Sequence, residues 1–222
     1  MIQIQKFPLT AYQQNTRIVF CDETNEAICI DPAAESPELV EFLRVRTLRL
    51  KAIALTHAHL DHVGGTSALH REFPEAEILL HKDDEAMYYS LPSQPLMLGI
   101  PSIHLKELGF DFDVPPRVTR NWVDGERFDV GLLSFTILHC PGHTRGHVVL
   151  AETNHKKVFV GDCLFAGSIG RTDLPGGNHD QLIKSLKTKV MTLDDDFIVY
   201  SGHGPETTIG RERATNPFVG ES

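Results

Sequence analysis

Apolar residues in this chain fall into short runs rather than long stripes, and most runs are rich in β-branched or aromatic side chains. Such runs, bounded by Gly, Pro, Asn or Asp, are the pattern of strands. Strands are expected at 17–21, 27–30, 52–55, 78–81, 132–139, 147–151, 157–160 and 197–200. Within 132–139, Leu133, Phe135 and Ile137 alternate with Ser134 and Thr136, the period of a half-buried antiparallel strand. Helical periodicity is rarer. Ser36 and Pro37 form an N-cap and first-turn pair ahead of Leu39, Phe42 and Leu43. Residues 180–193 put Leu182, Ile183, Leu186, Val190 and Leu193 on one helical face. The Pro-containing stretch 87–116 has weak periodicity and reads as an irregular surface excursion. Many strands with few helices imply an α+β chain, two sheets face to face with helices on their outer sides.

Length and composition narrow this picture. The 222 residues carry no internal repeat, low-complexity stretch or Gly/Ser linker, so one domain over 1–222 is expected. A hydrophobic fraction of 41% with 23% charged residues excludes a disordered chain. No apolar run approaches the ~20 residues of a membrane span. The first 15 residues alternate polar and apolar positions without the apolar core of a secretory signal, so a cytoplasmic location is expected. Cys21, Cys29, Cys140 and Cys163 form no CxxC pair and read as reduced thiols in or near the core. The net charge is −9 and the 21 Lys and Arg residues are scattered, so no nucleic-acid partner is expected.

Candidate chemistry begins at Thr56-His57-Ala58-His59-Leu60-Asp61-His62. Chance places an HxHxDH segment in a chain with 12 histidines about 0.002 times, so the pattern is specific. Histidines at i and i+2 point apart on a helix but share one side of an extended strand end. Imidazole and carboxylate donors suit zinc, iron or manganese. Four donors within six residues crowd one tetrahedral ion, which points to two. Three more candidates each follow an apolar run and a glycine: His143 after Cys140-Pro-Gly, Asp162 after Val158-Phe-Val-Gly, and His203 after Ile198-Val-Tyr-Ser-Gly. Strand ends that feed glycine loops can converge at one edge of a sandwich. His147, four residues beyond His143, reads as a supporting residue rather than a ligand.

Together, THAHLDHVGG (56–65), CPGHTRGH (140–147), FVGDCLF (159–165) and SGHG (201–204) resemble the metallo-β-lactamase superfamily, and within it the glyoxalase II branch. The resemblance implies a four-layer αβ/βα sandwich with the site at one edge. It assigns His57, His59 and His143 to a first metal and Asp61, His62 and His203 to a second, with Asp162 bridging. Asp31, in IDPA, resembles the acid that steadies the metal loop from outside the ligand set. GSIGRTD (167–173) and ERATNPF (212–218) are similar to short, bacterial-type members and to persulfide dioxygenases. Long-form glyoxalase II grips glutathione through a C-terminal helical domain, whereas this chain ends 19 residues after His203. Arg171 falls where the family has a basic glutathione contact. The implied activity is hydrolysis of a glutathione thioester such as S-lactoylglutathione by water activated on two divalent ions, zinc first among them, then iron or manganese. Asp61 doubles as the group able to take the attacking water's proton. The alternative left open is a glutathione persulfide dioxygenase with one ferrous ion on His57, His143 and Asp162. The expected partner is a small-molecule substrate, with no membrane.

Overall fold

Strand-forming runs pair into two six-stranded sheets in the computed structural model, which describes residues 1–97 and 114–220. The first sheet follows chain order: β1 (Ile2–Leu9), β2 (Gln14–Cys21), β3 (Glu26–Ile30), β4 (Arg49–Ala54), β5 (Glu77–His81) and β6 (Arg120–Trp122). β1 to β3 are antiparallel, and β3 to β6 pair in parallel. The second sheet contains β7 (Arg127–Val130), β8 (Leu133–His139), β9 (Val148–Glu152) and β10 (Lys157–Gly161). A small ribbon follows, β11 (Leu164–Phe165) with β12 (Ser168–Ile169), and then β13 (Ile198–Ser201) and β14 (Thr207–Thr208) complete the sheet. Its order is β14-β13-β10-β9-β8-β7, with β10 and β13 parallel.

Parallel neighbours need crossovers, and helices supply them. α1 (Pro37–Val45) joins β3 to β4, while α2 (Leu60–Val63) and α3 (Thr66–Glu72) join β4 to β5. The Ser36 side chain accepts from the Leu39 amide at 3.2 Å with Pro37 in the first turn, and α1 buries Leu39 and Leu43. α4 (Glu85–Tyr89) and α5 (Gln94–Met97) follow β5. α6 (His179–Ser185) passes into a π turn, Leu186–Val190, before β13, and α7 (Ile209–Thr215) closes the second sheet's outer side.

Strand alternation sorts the core into three layers of contact. Val19, Ile28, Ala52 and Leu79 face Phe135, Ile137, Leu150 and Phe159 between the sheets. Ile18, Ile53 and Ile78 pack outward on Leu39, Leu43 and Leu69. Val149, Val158 and Val199 pack on Leu182, Leu186 and Ile209. The result is the expected αβ/βα sandwich.

Two expectations need adjustment, and others stand. The stretch 87–116 is not simply a surface excursion: in its described part Tyr88, Leu91 and Gln94 are buried, while 98–113 lies outside the described residues. The helix expected at 180–193 is α-helical only to Ser185, and the Met191 amide then reaches back to the Leu186 carbonyl at 2.8 Å. All four cysteines are buried and free. Among the described residues no helix is long and apolar enough to cross a membrane.

Candidate metal centre

Four loops deliver the candidate residues to one edge. The chain leaves β4 at Ala54 and carries His57 to His62 into α2, with His57 and His62 fully buried. The loops after β8, β10 and β13 bring His143, Asp162 and His203. His57 Nε2 and His59 Nδ1 lie 3.1 Å apart. Two nitrogens on one tetrahedral zinc stand roughly 3.3 Å apart, given bonds near 2.0–2.1 Å. His57, His59 and His143 offer ligand atoms within 4.8 Å of one another, and so do Asp61, His62 and His203. The Asp162 carboxylate faces both trios: Oδ1 is 3.3 Å from His62 Nε2, and Oδ2 is 3.5 Å from His203 Nε2 and 4.0 Å from His143 Nε2. Asp61 Oδ2 stands 3.1 Å from His203 Nε2.

Hydrogen bonds behind the rings fix which nitrogen is free. His62 Nδ1 donates to Asp31 Oδ2 at 2.9 Å, His143 Nδ1 to the Arg171 carbonyl at 2.8 Å, and His203 Nδ1 to the Tyr12 carbonyl at 3.0 Å. The Thr56 hydroxyl donates to Asp31 Oδ2 at 2.7 Å and so accepts from His57 Nδ1 at 3.0 Å. Each of these imidazoles therefore turns its Nε2 toward the centre, the arrangement typical of metal-ligating histidine. Buried polar atoms are normally paired. Here His62 Nε2, His143 Nε2 and Asp162 Oδ1 are buried without a hydrogen-bond partner. At Gly202 a Cβ would run into Asp162 Oδ1 and stand 2.6 Å from His62 Cε1, so only glycine leaves the centre open. Donor chemistry and orphaned atoms both fit a bound cation.

The electrostatics divide the two trios. Burial, then the neighbouring imidazoles, holds His57 well below the usual histidine range and brings His59 down to about 3. Burial also lowers His143. These rings are neutral and ready to bind. At His62 burial opposes charge, yet the Asp162 and Asp61 carboxylates raise it well above its ordinary value. His203 is raised too, burial being outweighed by Asp61 and Asp162. Both carboxylates are in turn lowered, against burial, chiefly by His62. Protons thus do at the second trio what a cation would do, and metal binding there would release them.

Two supporting residues, Asp84 and Gln94, went unrecognised in the sequence. Asp84, buried, accepts from the Ala58 amide (3.2 Å), the Thr144 hydroxyl (2.7 Å) and the Gly146 amide (2.6 Å), tying the His59 loop to the His143 loop. The Gln94 side chain bonds both Ala58 O (2.8 Å) and Leu60 N (2.9 Å). His147 Nε2 accepts from the Asp162 amide at 3.1 Å, so its lone pair is committed and it orients Asp162. The Arg171 carbonyl serves His143, while its exposed guanidinium is paired to Asp173 at 2.7 and 2.8 Å. A separate trio, His81, Asp83 and His139, also offers ligand atoms within 4.8 Å of one another. Its imidazoles stack 4.0 Å apart at 11°, so their in-plane lone pairs run side by side.

A three-histidine trio and an imidazole–carboxylate trio with one aspartate between them, at the edge of a four-layer sandwich, define the class as metal-dependent hydrolase. The profile of the Metallo-beta-lactamase superfamily matches residues 9–203, and the chain belongs to that superfamily. It is 41% identical over 218 residues to the hydroxyacylglutathione hydrolase GloC of Haemophilus influenzae, covering 98% of both chains. Among solved structures it is similar to the BLEG-1 B3 metallo-β-lactamase (TM-score 0.84, 34% identity, 98% and 99% coverage). It is also similar to TTHA1623 in a di-iron-bound form (0.81, 36%, 96% and 99%). ETHE1 from Myxococcus xanthus stands further off (0.75, 26%, 99% and 86%).

Proposed function

We propose that this chain is a dinuclear thioester hydrolase that cleaves hydroxyacylglutathiones of the S-lactoylglutathione type to a hydroxy acid and glutathione. The observation that carries this reading is the completeness of both trios around Asp162. His57, His59 and His143 would hold the first divalent ion and Asp61, His62 and His203 the second, with Asp162 placed to serve both. Zinc suits these donors, as do iron and manganese. The full-length similarity to a hydroxyacylglutathione hydrolase supports the substrate class.

When bound, the ions lower the pKa of water toward neutrality and polarise the substrate carbonyl. The side chains do the rest. Asp61 Oδ2 faces the centre, 3.1 Å from His203 Nε2, and would take the proton of the attacking water. A cavity of about 280 Å³ beside His59, walled by Ala86, Met87, Leu174 and Pro175, receives one arm of the thioester. The leaving thiolate needs no acid, since a thiol pKa is about 8.5. No side-chain nucleophile takes part, and Cys140 and Cys163 are fully buried. Arg171 anchors a glutathione carboxylate, which displaces Asp173 from its guanidinium. Arg171→Ala then raises KM several-fold with kcat unchanged; an unchanged KM removes Arg171 from the site.

The reading is tested by S-lactoylglutathione hydrolysis in metal-loaded chain beside His59→Ala. Equal rates in the two would sink it. One rival is an iron-dependent persulfide dioxygenase, which the segments 167–173 and 212–218 also resemble, and oxygen uptake with glutathione persulfide is the discriminating assay.

A further inference from the structure

His203 is the least enclosed histidine of the centre, with its side chain 25% exposed, and it stands on a loop beyond the end of β13. The second sheet alone gives it little support. β2 belongs to the first sheet, yet its polar end reaches across. Val19 and Cys21 point into the layer between the sheets. Strand alternation puts Arg17 and Asn15 at the next two positions on that face. There they meet the carbonyls around His203. The Asn15 amide donates to Gly202 O at 2.7 Å, and its Nδ2 donates to Ser201 O at 3.1 Å and Gly204 O at 2.9 Å. Arg17 Nη1 donates to Ser201 O at 2.8 Å, with the guanidinium carbon 5.3 Å from the Tyr200 ring centre. The turn ahead of β2 supplies the Tyr12 carbonyl that accepts from His203 Nδ1, and that turn is shaped by left-handed Thr10 (φ 62°) and Gln13 (φ 53°).

Arg17 is only 3% exposed, and its Nε and Nη2 have no hydrogen-bond partner. An incompletely satisfied buried cation is costly, and an apolar side chain would fill the space between sheets at less cost. What the guanidinium adds is its pair of Nη1 bonds, to Ser201 O and to Asn15 O at 3.1 Å. The opposite face of β2 serves the same trio, for Thr16 donates to the Asp31 carbonyl at 2.7 Å behind His62.

We propose that Asn15 and Arg17 are positioning residues for the second metal ion: they fix the 201–204 loop so that His203 Nε2 stays in reach of Asp61 and Asp162. The inference rests on the dinuclear reading above. Neither residue bonds the loops that carry His57, His59 and His143, so loosening this clamp separates the two ions in affinity.

The test is zinc titration of metal-stripped, full-length chain against a chromophoric chelator, for wild type, Asn15→Ala, Arg17→Met and Arg17→Lys. The expected result is an unchanged first equivalent and a second weakened about 10–100-fold in Asn15→Ala and Arg17→Met, the usual loss when support behind a ligand is removed. Arg17→Lys, which keeps a donor for Ser201, recovers part of it. Wild-type affinity for both equivalents in folded Asn15→Ala overturns the proposal, and so does parallel weakening of both, which marks a general structural role. If Arg17→Met fails to fold, Asn15→Ala decides alone, because it removes only neutral donors. A wild-type chain that takes up one equivalent overturns the dinuclear reading itself, an outcome distinct from wild type binding two and the variants behaving like it.

Discussion

Asp31 sits at φ 52°, a left-handed conformation that costs most residues but that Asp and Asn adopt more readily. Its two oxygens bind the Thr56 amide and hydroxyl, each at 2.7 Å, and the His62 ring. Asp31→Asn keeps the backbone but removes the charge behind His62, so affinity for the second ion should fall about 10–100-fold. Asp31→Ala should in addition lose about 1–2 kcal/mol of stability to backbone strain. Chelator titration and thermal melts separate the two effects; equal behaviour of both variants contradicts this account. The histidines predict a pH dependence in the metal-free chain. His57, His59 and His143 have folded pKa values below the ordinary 6.5, so unfolding takes up protons between those values and 6.5. Their contribution to stability is complete above pH 6.5 and fades as pH falls below it. His62 and His203, raised instead, oppose this in part, their contribution being lost as pH rises through their folded values. Melts of the metal-free chain should therefore shift down from pH 7 to pH 5; a flat profile would show that these rings are not held neutral. The histidines of the candidate centre stood out because HxHxDH is improbable by chance. Asp84, Gln94 and Thr56 were not, since their roles arise from long-range bonds that leave no local spacing.

At the scale of elements, α6 rests directly on the loop that carries His143. The Asn178 amide donates to Gly142 O at 2.7 Å, and Gly142 has φ 136° with the Leu182 backbone where a Cβ would lie. Gly142→Ala must both strain the backbone and push α6 away. A loss of roughly 1–3 kcal/mol follows, or a melting point lower by on the order of 5 °C, together with weaker binding of the first ion. An unchanged melting point would mean that the contact is soft. Eight strands and two of the outer helices, α1 and α6, were readable as apolar runs and helical faces. β6 and β7, of three and four residues, are too short to show a period. The parallel order of β3 to β6 leaves no local mark either, since it is set by which strands the helices bridge.

Across the whole molecule, the two halves contribute unequally to one centre. Loops of the first sheet bring His57, His59, Asp61 and His62, and loops of the second bring His143, Asp162 and His203. The centre exists only when the sheets are packed, so binding of the ions is coupled to the docking of the two halves. That convergence could be anticipated from glycine loops following strand runs, but its geometry needed the fold. The hairpin end of β2 reaching under His203 had no counterpart in any motif, because it joins residues nearly 190 positions apart. The central claim is a thioesterase that needs two ions. Its most direct test is to strip the chain of metal, add zinc or manganese in measured equivalents, and follow S-lactoylglutathione hydrolysis at each step. The account predicts little turnover with one ion per chain and a steep rise as the second binds. Two bound ions without turnover above the His59→Ala variant would contradict it, as would a chain that binds a single iron and consumes oxygen with glutathione persulfide.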